Sequence, residues 1–253
     1  MRLRSVVLFV GLMAMVACQE KDLDLASAEN SFVIAKKPYT QGNYEIALNK
    51  LGEFKTRFPY SSFAIEAELL VAHAYFELGR YAEAVVSYEQ FIKLHPKHDQ
   101  VDFAQYRIGL AYWEQAPKEI DREQDLTSKG VAEWEKLTKN YPKSQYAAEA
   151  KELSSRGRRR IAESHEFIAG FYCRQGIWHA CARRYLALAE TYNNVFNDLV
   201  KKSLNEAAFA LDKLAKHKPD KDEKADANLY FKAMTPEELQ RRAEQLREQA
   251  KKL

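Results

Sequence analysis

Few residues in this chain have the type and spacing that chemistry requires. His95, His98 and Asp99 fall within one stretch of five residues and have metal-binding side chains. Pro96 separates the two histidines, and no cysteine or second carboxylate completes a zinc ligand set. We therefore predict turn residues at the end of a helix. Because the sequence also lacks a phosphate-binding glycine loop and a catalytic constellation, it predicts no metal, no cofactor and no enzyme.

The N-terminus has the pattern of an export signal. Arg2 and Arg4 precede an apolar run over 6–17. That run is shorter than the roughly 20 residues that a membrane-spanning helix needs. It ends in small residues before Cys18, an arrangement typical of a bacterial lipobox, in which the cysteine is diacylated and becomes the new N-terminus. An ordinary signal peptide followed by an incidental cysteine is the alternative.

The surroundings of Cys18 favour the lipoprotein interpretation. Only three cysteines are present, and one stands at the cleavage site. Gln19 follows it, whereas an aspartate in that position is the inner-membrane retention signal of enteric bacteria. We predict a signal peptide over 1–17, a lipidated tether over 18–28 and a location on the periplasmic face of the outer membrane.

The other two cysteines, Cys173 and Cys181, flank Gly176. They could pair in an oxidising compartment, but a sequence does not reveal the Cα separation that a disulfide requires. We favour two unbonded, small, buried side chains on facing helices.

Charge gives little information about partners. The formal net charge of +3 falls to +1 if Arg2 and Arg4 are removed with the signal peptide. A basic run over 156–160 has glutamates nearby, so a solvated helix face is the simplest interpretation and a site for an acidic partner is the alternative. No nucleic-acid partner is expected.

A repeated spacing indicates the fold. Two segments share the pattern Gly-x-Tyr-x-x-Ala with a Pro twelve residues after the Ala, and the copies are displaced by 37 residues. This period is typical of stacked helix pairs, and the spacing fits the second half of a tetratricopeptide repeat (TPR). Gly ends helix A, Ala allows close helix approach and Pro ends helix B. These frame residues are Gly42, Tyr44, Ala47 and Pro59, then Gly79, Tyr81, Ala84 and Pro96.

The third repeat contains an insertion. Its helix A begins near Phe103 and its helix B is apolar around Trp134. The polar segment over 114–129 lies between them and includes Pro117, which is unfavourable inside a helix.

Two further units complete the predicted array. The fourth places Gly176, Trp178 and Cys181 in the frame positions, and a fifth helical segment follows over 196–216. We therefore predict an all-α protein with a TPR-type helical solenoid over 29–216, made of about five helix-pair units.

The C-terminal segment over 235–253 follows a polar linker over 217–234. Thr235, Pro236 and Glu238 form a capping box with proline in the first turn. The apolar stripe of the helix comprises Leu239, Ala243, Leu246, Ala250 and Leu253. This amphipathic helix either caps the last repeat, as the end of a solenoid requires, or docks on a partner.

The order of these motifs resembles that of the BamD family, outer-membrane lipoproteins of the β-barrel assembly machinery. The resemblance extends from about 18 to 193. It rests on the lipobox Cys18, Arg57-Phe58-Pro59-Tyr60-Ser61, Asp102-Phe103-Ala104-x-Tyr106-x-x-Gly109-Leu110, the Asp121-Arg122-Glu123-Gln124 insertion and Phe171-Tyr172-x-x-x-Gly176-x-Trp178.

The resemblance implies a scaffold of the assembly complex. Its partners would be the POTRA domains of a BamA-like barrel protein, other lipoproteins of the complex and unfolded outer-membrane proteins. Arg184 matches a family arginine in helix B of repeat four, on the half that contacts the BamA-like partner. The N-terminal repeats would receive the aromatic C-terminal strand of a client, and Tyr60, Phe63 and Tyr75 are the candidate contacts.

Two other classes are alternatives. Another TPR lipoprotein scaffold, such as a pilus-secretin pilotin or a cell-division coordinator, would share the anchor and the array. A periplasmic hydrolase with a helical accessory domain would need a catalytic cluster, and the sequence shows none.

Overall fold

The computed structural model describes residues 28–216, 231 and 234–253. The regular structure of this part of the chain is entirely α-helical, which confirms the prediction of an all-α, TPR-type helical solenoid. Helix α1 covers 28–40 in the described residues. The helices after it are α2 (Tyr44–Arg57), α3 (Phe63–Glu77), α4 (Tyr81–Leu94), α5 (Val101–Gln115), α6 (Asp125–Asn140), α7 (Ala147–Arg174), α8 (Trp178–Thr191), α9 (Asn197–Lys216) and α10 (Pro236–Lys251).

Three helix pairs are joined by the same glycine turn. In repeat two, the Gly79 amide donates to the Phe76 carbonyl at 2.9 Å, and the Arg80 amide donates to the Tyr75 carbonyl at 2.9 Å. These are the paired contacts of a Schellman helix end, which requires a left-handed residue. The turns of repeats one and four make the same two contacts. The left-handed φ angles are 75°, 71° and 73° at Gly42, Gly79 and Gly176.

The chain divides into two compact units. Among the described residues, unit 1 comprises 28–115 with Ala132–Lys151. In repeat two, the frame residue Ala84 and the apolar residues Tyr88 and Phe91 of α4 are at most 1% exposed. The frame alanine thus lies in the core of this unit, beside the apolar face of its own helix.

Unit 2 comprises Ala116–Val131 with Glu152–Leu253, and its apolar cluster settles the role of the last helix. Helix α9 packs on both α8 and α10. The cluster includes Leu199 and Leu211 of α9 and four of the five stripe residues of α10, namely Leu239, Ala243, Leu246 and Ala250. The stripe is thus covered by the chain itself, which supports the capping interpretation rather than partner docking.

The predicted capping box starts α10. The Thr235 hydroxyl accepts a hydrogen bond from the Glu238 amide at 3.2 Å, and the Glu238 carboxylate accepts one from the Thr235 amide at 2.7 Å. Two amides that would lack partners at the start of the helix are thereby paired. Helices α9 and α10 form the fifth helix pair.

The insertion in repeat three lies between α5 and α6, over 116–124. Gln124 organises it. Its side-chain amide donates to the carbonyls of Glu119 at 2.9 Å and Arg122 at 3.1 Å, and its side-chain oxygen accepts from the Thr127 hydroxyl at 2.7 Å. Thr127 is fully buried. The segment between α5 and α6 is therefore held by hydrogen bonds to Gln124, and not by a glycine turn.

Several predictions fall outside the described residues. They are the signal peptide over 1–17, the lipidation site Cys18, the tether as far as 27 and nearly all of the linker over 217–234. In the part of the chain that is described, no helix combines the length and the apolar character needed to span a membrane.

Candidate functional site

Arg184, the predicted partner contact, lies on α8 and faces α7. Its guanidinium carbon is 4.8 Å from the centre of the Tyr172 ring. Its Nε is buried and has no hydrogen-bond partner among the described residues. A buried donor without an acceptor is destabilising.

His165 on α7 interacts electrostatically with Arg184. Burial and the positive charge of Arg184 lower the pKa of His165 below its ordinary value. The imidazole is therefore neutral near pH 7 and adds no second positive charge beside Arg184.

Cys173 and Cys181 are joined by a disulfide, with Cα atoms 5.1 Å apart. The favoured interpretation of two unbonded thiols is therefore wrong. The glycine turn at 174–177 folds α8 back on α7, and this brings the two Cα atoms into the range of about 4.4–6.8 Å that a disulfide needs. The number of residues between the two cysteines does not reveal how far apart their Cα atoms are in the folded chain.

The three candidate client contacts of unit 1 have different surroundings. Tyr60 is 101% exposed in the turn after α2. The Phe63 ring stacks on the Phe32 ring, with centroids 5.2 Å apart, and packs against an apolar cluster. Tyr75 packs against a second cluster and carries the Arg80 guanidinium 4.8 Å above its ring. Of the three, Tyr60 is the one whose side chain is fully accessible.

Sequence reasoning missed a cluster of charged and aromatic side chains in unit 1. This Arg107 cluster comprises His73, Phe76, Glu77, Tyr88, Phe103 and Arg107. The Arg107 guanidinium lies 3.6 Å from the centre of the Phe76 ring and donates to the Glu77 carboxylate at 2.6 Å. A signal was present, because Phe103 and Arg107 are one helical turn apart on α5, as His73 and Glu77 are on α3.

A hydrogen-bonded chain runs through the Arg107 cluster. Arg107 Nε donates to the Tyr88 hydroxyl oxygen at 3.4 Å, and that hydroxyl lies 2.6 Å from His73 Nδ1. Burial, with the nearby Arg107 charge, lowers the pKa of His73 to about 4, so its ring is neutral and Nδ1 accepts. Burial raises the pKa of Tyr88, which keeps its hydroxyl protonated as the donor. The cluster thereby links α3, α4 and α5.

The histidines singled out in the sequence lie at a turn, as predicted. His95 follows α4, and its Nε2 is 2.7 Å from the Glu68 carboxylate, while His98 Nδ1 is 3.0 Å from Asp99. The described residues contain no group of three or more potential ligands placed to hold a metal ion. Two clefts of about 340 and 470 Å³ share His98 and Asp99 as lining residues.

The basic run on α7 is at least partly compensated within unit 2. Arg159 donates to both carboxylate oxygens of Asp198, at 2.8 and 2.7 Å, and to Glu163 at 2.9 Å. The hydrogen bonds from Arg159 lower the pKa of Asp198 to about 2. These contacts favour the interpretation of a compensated helix face.

Comparisons with known proteins show that this chain matches one protein family. The YfiO family model, described as an outer membrane lipoprotein, matches residues 25–229. The outer membrane protein assembly factor BamD of Vibrio cholerae is 27% identical over 167 residues, which cover 62% of this chain and 69% of the relative. That of Neisseria meningitidis serogroup A is 25% identical over 232 residues, which cover 85% and 86%.

Among solved structures, the TPR2AB-domain:pHSP90 complex of yeast Sti1 is similar to this chain with a TM-score of 0.45. The two are 15% identical, and the match covers 75% of this chain and 71% of the other.

Proposed function

The chain belongs to the YfiO family of outer membrane lipoproteins, which are assembly factors rather than enzymes, and we propose that it is a scaffold of the β-barrel assembly complex. It is anchored by acyl chains on Cys18 and faces the periplasm. It binds the POTRA domains of a BamA-like barrel protein and other lipoproteins of the complex, and it receives unfolded outer-membrane proteins. The relatives named as outer membrane protein assembly factors support this role.

The observation that carries the proposal is the Arg184 guanidinium held over the Tyr172 ring, with a buried Nε that has no acceptor among the described residues. Because the Arg184 side chain is only half-buried, the other N–H groups of its guanidinium are suited to a carboxylate from another protein. An acidic surface of a POTRA domain would supply that carboxylate. The partner site therefore lies in unit 2, with Arg184 at its centre.

The disulfide between Cys173 and Cys181 supports the periplasmic location. Disulfides form and persist in oxidising compartments such as the periplasm and are rare in the cytosol. The outer-membrane association of the family and this bond therefore favour the same compartment.

Client binding is assigned to unit 1, with Tyr60, Phe63 and Tyr75 as candidate contacts. Tyr60 is the primary contact, because its ring is free to cover an aromatic side chain at the end of a client strand. Phe63 and Tyr75 already pack against apolar clusters, so less of each ring is available to a client.

A charge-reversal experiment tests the partner site. Arg184→Glu should weaken binding of purified POTRA domains to the full-length protein in detergent by at least about thirtyfold, because the reversed charge repels the acidic surface. Arg183→Glu makes the same change of net charge at an exposed neighbour and should leave affinity nearly unchanged. Equal affinities of the two variants, with circular dichroism showing both folded, would contradict the assignment of Arg184.

A peptide titration tests the client site. Tyr60→Ala should weaken binding of a peptide that ends in an aromatic residue and copies the last strand of a barrel protein by about fivefold or more. It should leave POTRA binding intact. Val86→Ala removes an exposed apolar side chain elsewhere on unit 1 and serves as the control. An unchanged peptide affinity for Tyr60→Ala would remove Tyr60 from the site.

Affinity capture from solubilised outer membranes tests the function as a whole. The proposal expects a BamA-like barrel protein to be captured with the wild-type chain and to be lost with Arg184→Glu. Capture of a secretin in its place would contradict the proposal and support the pilotin alternative.

A further inference from the structure

The disulfide of unit 2 lies next to the proposed partner contact. Cys173 follows Tyr172, whose ring lies beneath the Arg184 guanidinium. Cys181 lies three residues before Arg184, about one turn of α8 away. The disulfide and the contact between Arg184 and Tyr172 therefore both join α7 to α8, and on α8 they lie about one turn apart.

The glycine turn does not itself need a disulfide. In repeats one and two, Ala47 and Ala84 occupy the frame position of Cys181, and those turns make the same pair of backbone hydrogen bonds around Gly42 and Gly79. Because the turn forms without a crosslink in those repeats, the effect of the disulfide in repeat four is to fix the distance between α7 and the start of α8.

That fixed distance matters because the environment of Arg184 is unfavourable. Its Nε is buried without an acceptor among the described residues, and a buried polar group without a partner favours movements that return it to water. Separation of α8 from α7 near the turn would allow such a movement. The disulfide opposes the separation, because the Cα atoms of Cys173 and Cys181 are held 5.1 Å apart.

We infer that the Cys173–Cys181 disulfide is a positioning device that holds Arg184 over Tyr172, ready for a carboxylate of the partner. The inference rests on the proposed function of Arg184. Holding the side chain in its binding geometry before the encounter removes part of the ordering cost of association. Loss of the disulfide should therefore weaken partner binding about three- to tenfold.

The first test compares three forms of the full-length protein in detergent against purified POTRA domains. They are the oxidised wild type, the wild type reduced with dithiothreitol, and Cys173→Ala/Cys181→Ala, which places the frame residue alanine at 181. In the reduction, two thiol–disulfide exchanges yield two cysteine thiols and the cyclic disulfide of the reagent. Both disulfide-free forms should bind more weakly than the oxidised wild type. Unchanged affinity in both would overturn the inference while leaving the proposed function intact.

A double-mutant cycle separates positioning from general stability. Arg184→Ala is measured in the wild type and in the disulfide-free background. If the disulfide acts through Arg184, this substitution weakens binding by a smaller factor once the disulfide is gone. Equal factors in the two backgrounds would overturn the inference. No effect of Arg184→Ala in the wild type would overturn the proposed role of Arg184 itself, and the inference with it.

Leu246→Ala is the matched stability control. It removes a buried side chain of α10 from the same apolar cluster and leaves the turn and Arg184 unchanged. If the disulfide positions Arg184, Leu246→Ala should lower the melting temperature with little effect on POTRA affinity. An equal loss of affinity in Leu246→Ala and in the disulfide-free variant would indicate general destabilisation and overturn the inference.

Discussion

Gly109 of α5 and Trp134 of α6 are in direct contact, and the contact requires the absence of a side chain at 109. A Cβ atom built there would overlap the indole of Trp134. The indole is fully buried, and its Nε1 donates to the Tyr106 carbonyl at 3.3 Å. Gly109 therefore sets how closely the two helices of repeat three approach within unit 1.

Gly109→Ala should destabilise the protein by about 3 kcal/mol, because the indole must move and the core is overpacked. Thermal unfolding followed by circular dichroism should show a melting temperature lowered by about 6–12 °C. Gly52→Ala is the control, since a Cβ at 52 in α2 would meet no atom within 4 Å. That change should be neutral or stabilising by about 1 kcal/mol. Similar shifts in both variants would contradict the steric argument.

Stability should fall as the pH is lowered from 7.5 to 5, in part through His73. Its folded pKa of about 4 lies below the ordinary value of 6.5, so the unfolded chain binds more protons between these values. The stability present above pH 6.5 is therefore lost progressively on acidification, by about 2 kcal/mol at pH 5. His73→Gln should reduce the difference between melting temperatures at the two pH values.

His98→Gln, in the turn before α5, is the control for His73. It removes an imidazole outside the Arg107 cluster, and its melting temperatures at pH 7.5 and pH 5 are compared with those of His73→Gln. The lowered pKa of His165 adds a loss of the same sign to all three proteins, so the comparison isolates His73. If His73→Gln loses as much stability as the wild type between pH 7.5 and pH 5, the burial of its neutral ring is not the cause.

Anchoring should depend on Cys18. Cys18→Ser should release the protein from the outer-membrane fraction and abolish labelling with a radioactive fatty acid, because no thiol remains to be acylated. Cys173→Ala/Cys181→Ala keeps Cys18 and should stay in the membrane fraction. Continued membrane association and labelling of Cys18→Ser would rule out the lipoprotein assignment.

The last helix should stabilise unit 2 through its buried stripe. Leu246→Ala should cost about 2–5 kcal/mol, because Leu246 is 2% exposed in the apolar cluster. Leu253→Ala changes the same residue type just after the end of α10, where the predicted stripe no longer continues as helix. Leu253 is 39% exposed, so the expected effect is below about 0.5 kcal/mol. Urea unfolding of the two variants gives the comparison. Equal losses would mean that the packing of α10 on α9 is not the source of the stability.

The sequence predicts the repeat frame well and the contacts between side chains less well. Ala84 is buried as expected, because the frame position itself requires a small residue where two helices meet. The disulfide could not be predicted, since the distance between Cys173 and Cys181 depends on the turn. The hydrogen-bonded chain from Arg107 through Tyr88 to His73 was missed for a related reason. It joins three helices, and helical spacing shows only which residues share one face.

The frame glycines are required by the backbone conformation and not by a lack of space for a Cβ atom. At Gly42, Gly79 and Gly176, a Cβ would meet no atom within 4 Å, although each φ is positive. An L residue placed there would therefore carry backbone strain even though its Cβ has room. Among the genetically encoded alternatives, asparagine is the mildest replacement, and Asn194 already adopts a φ of 62° after α8.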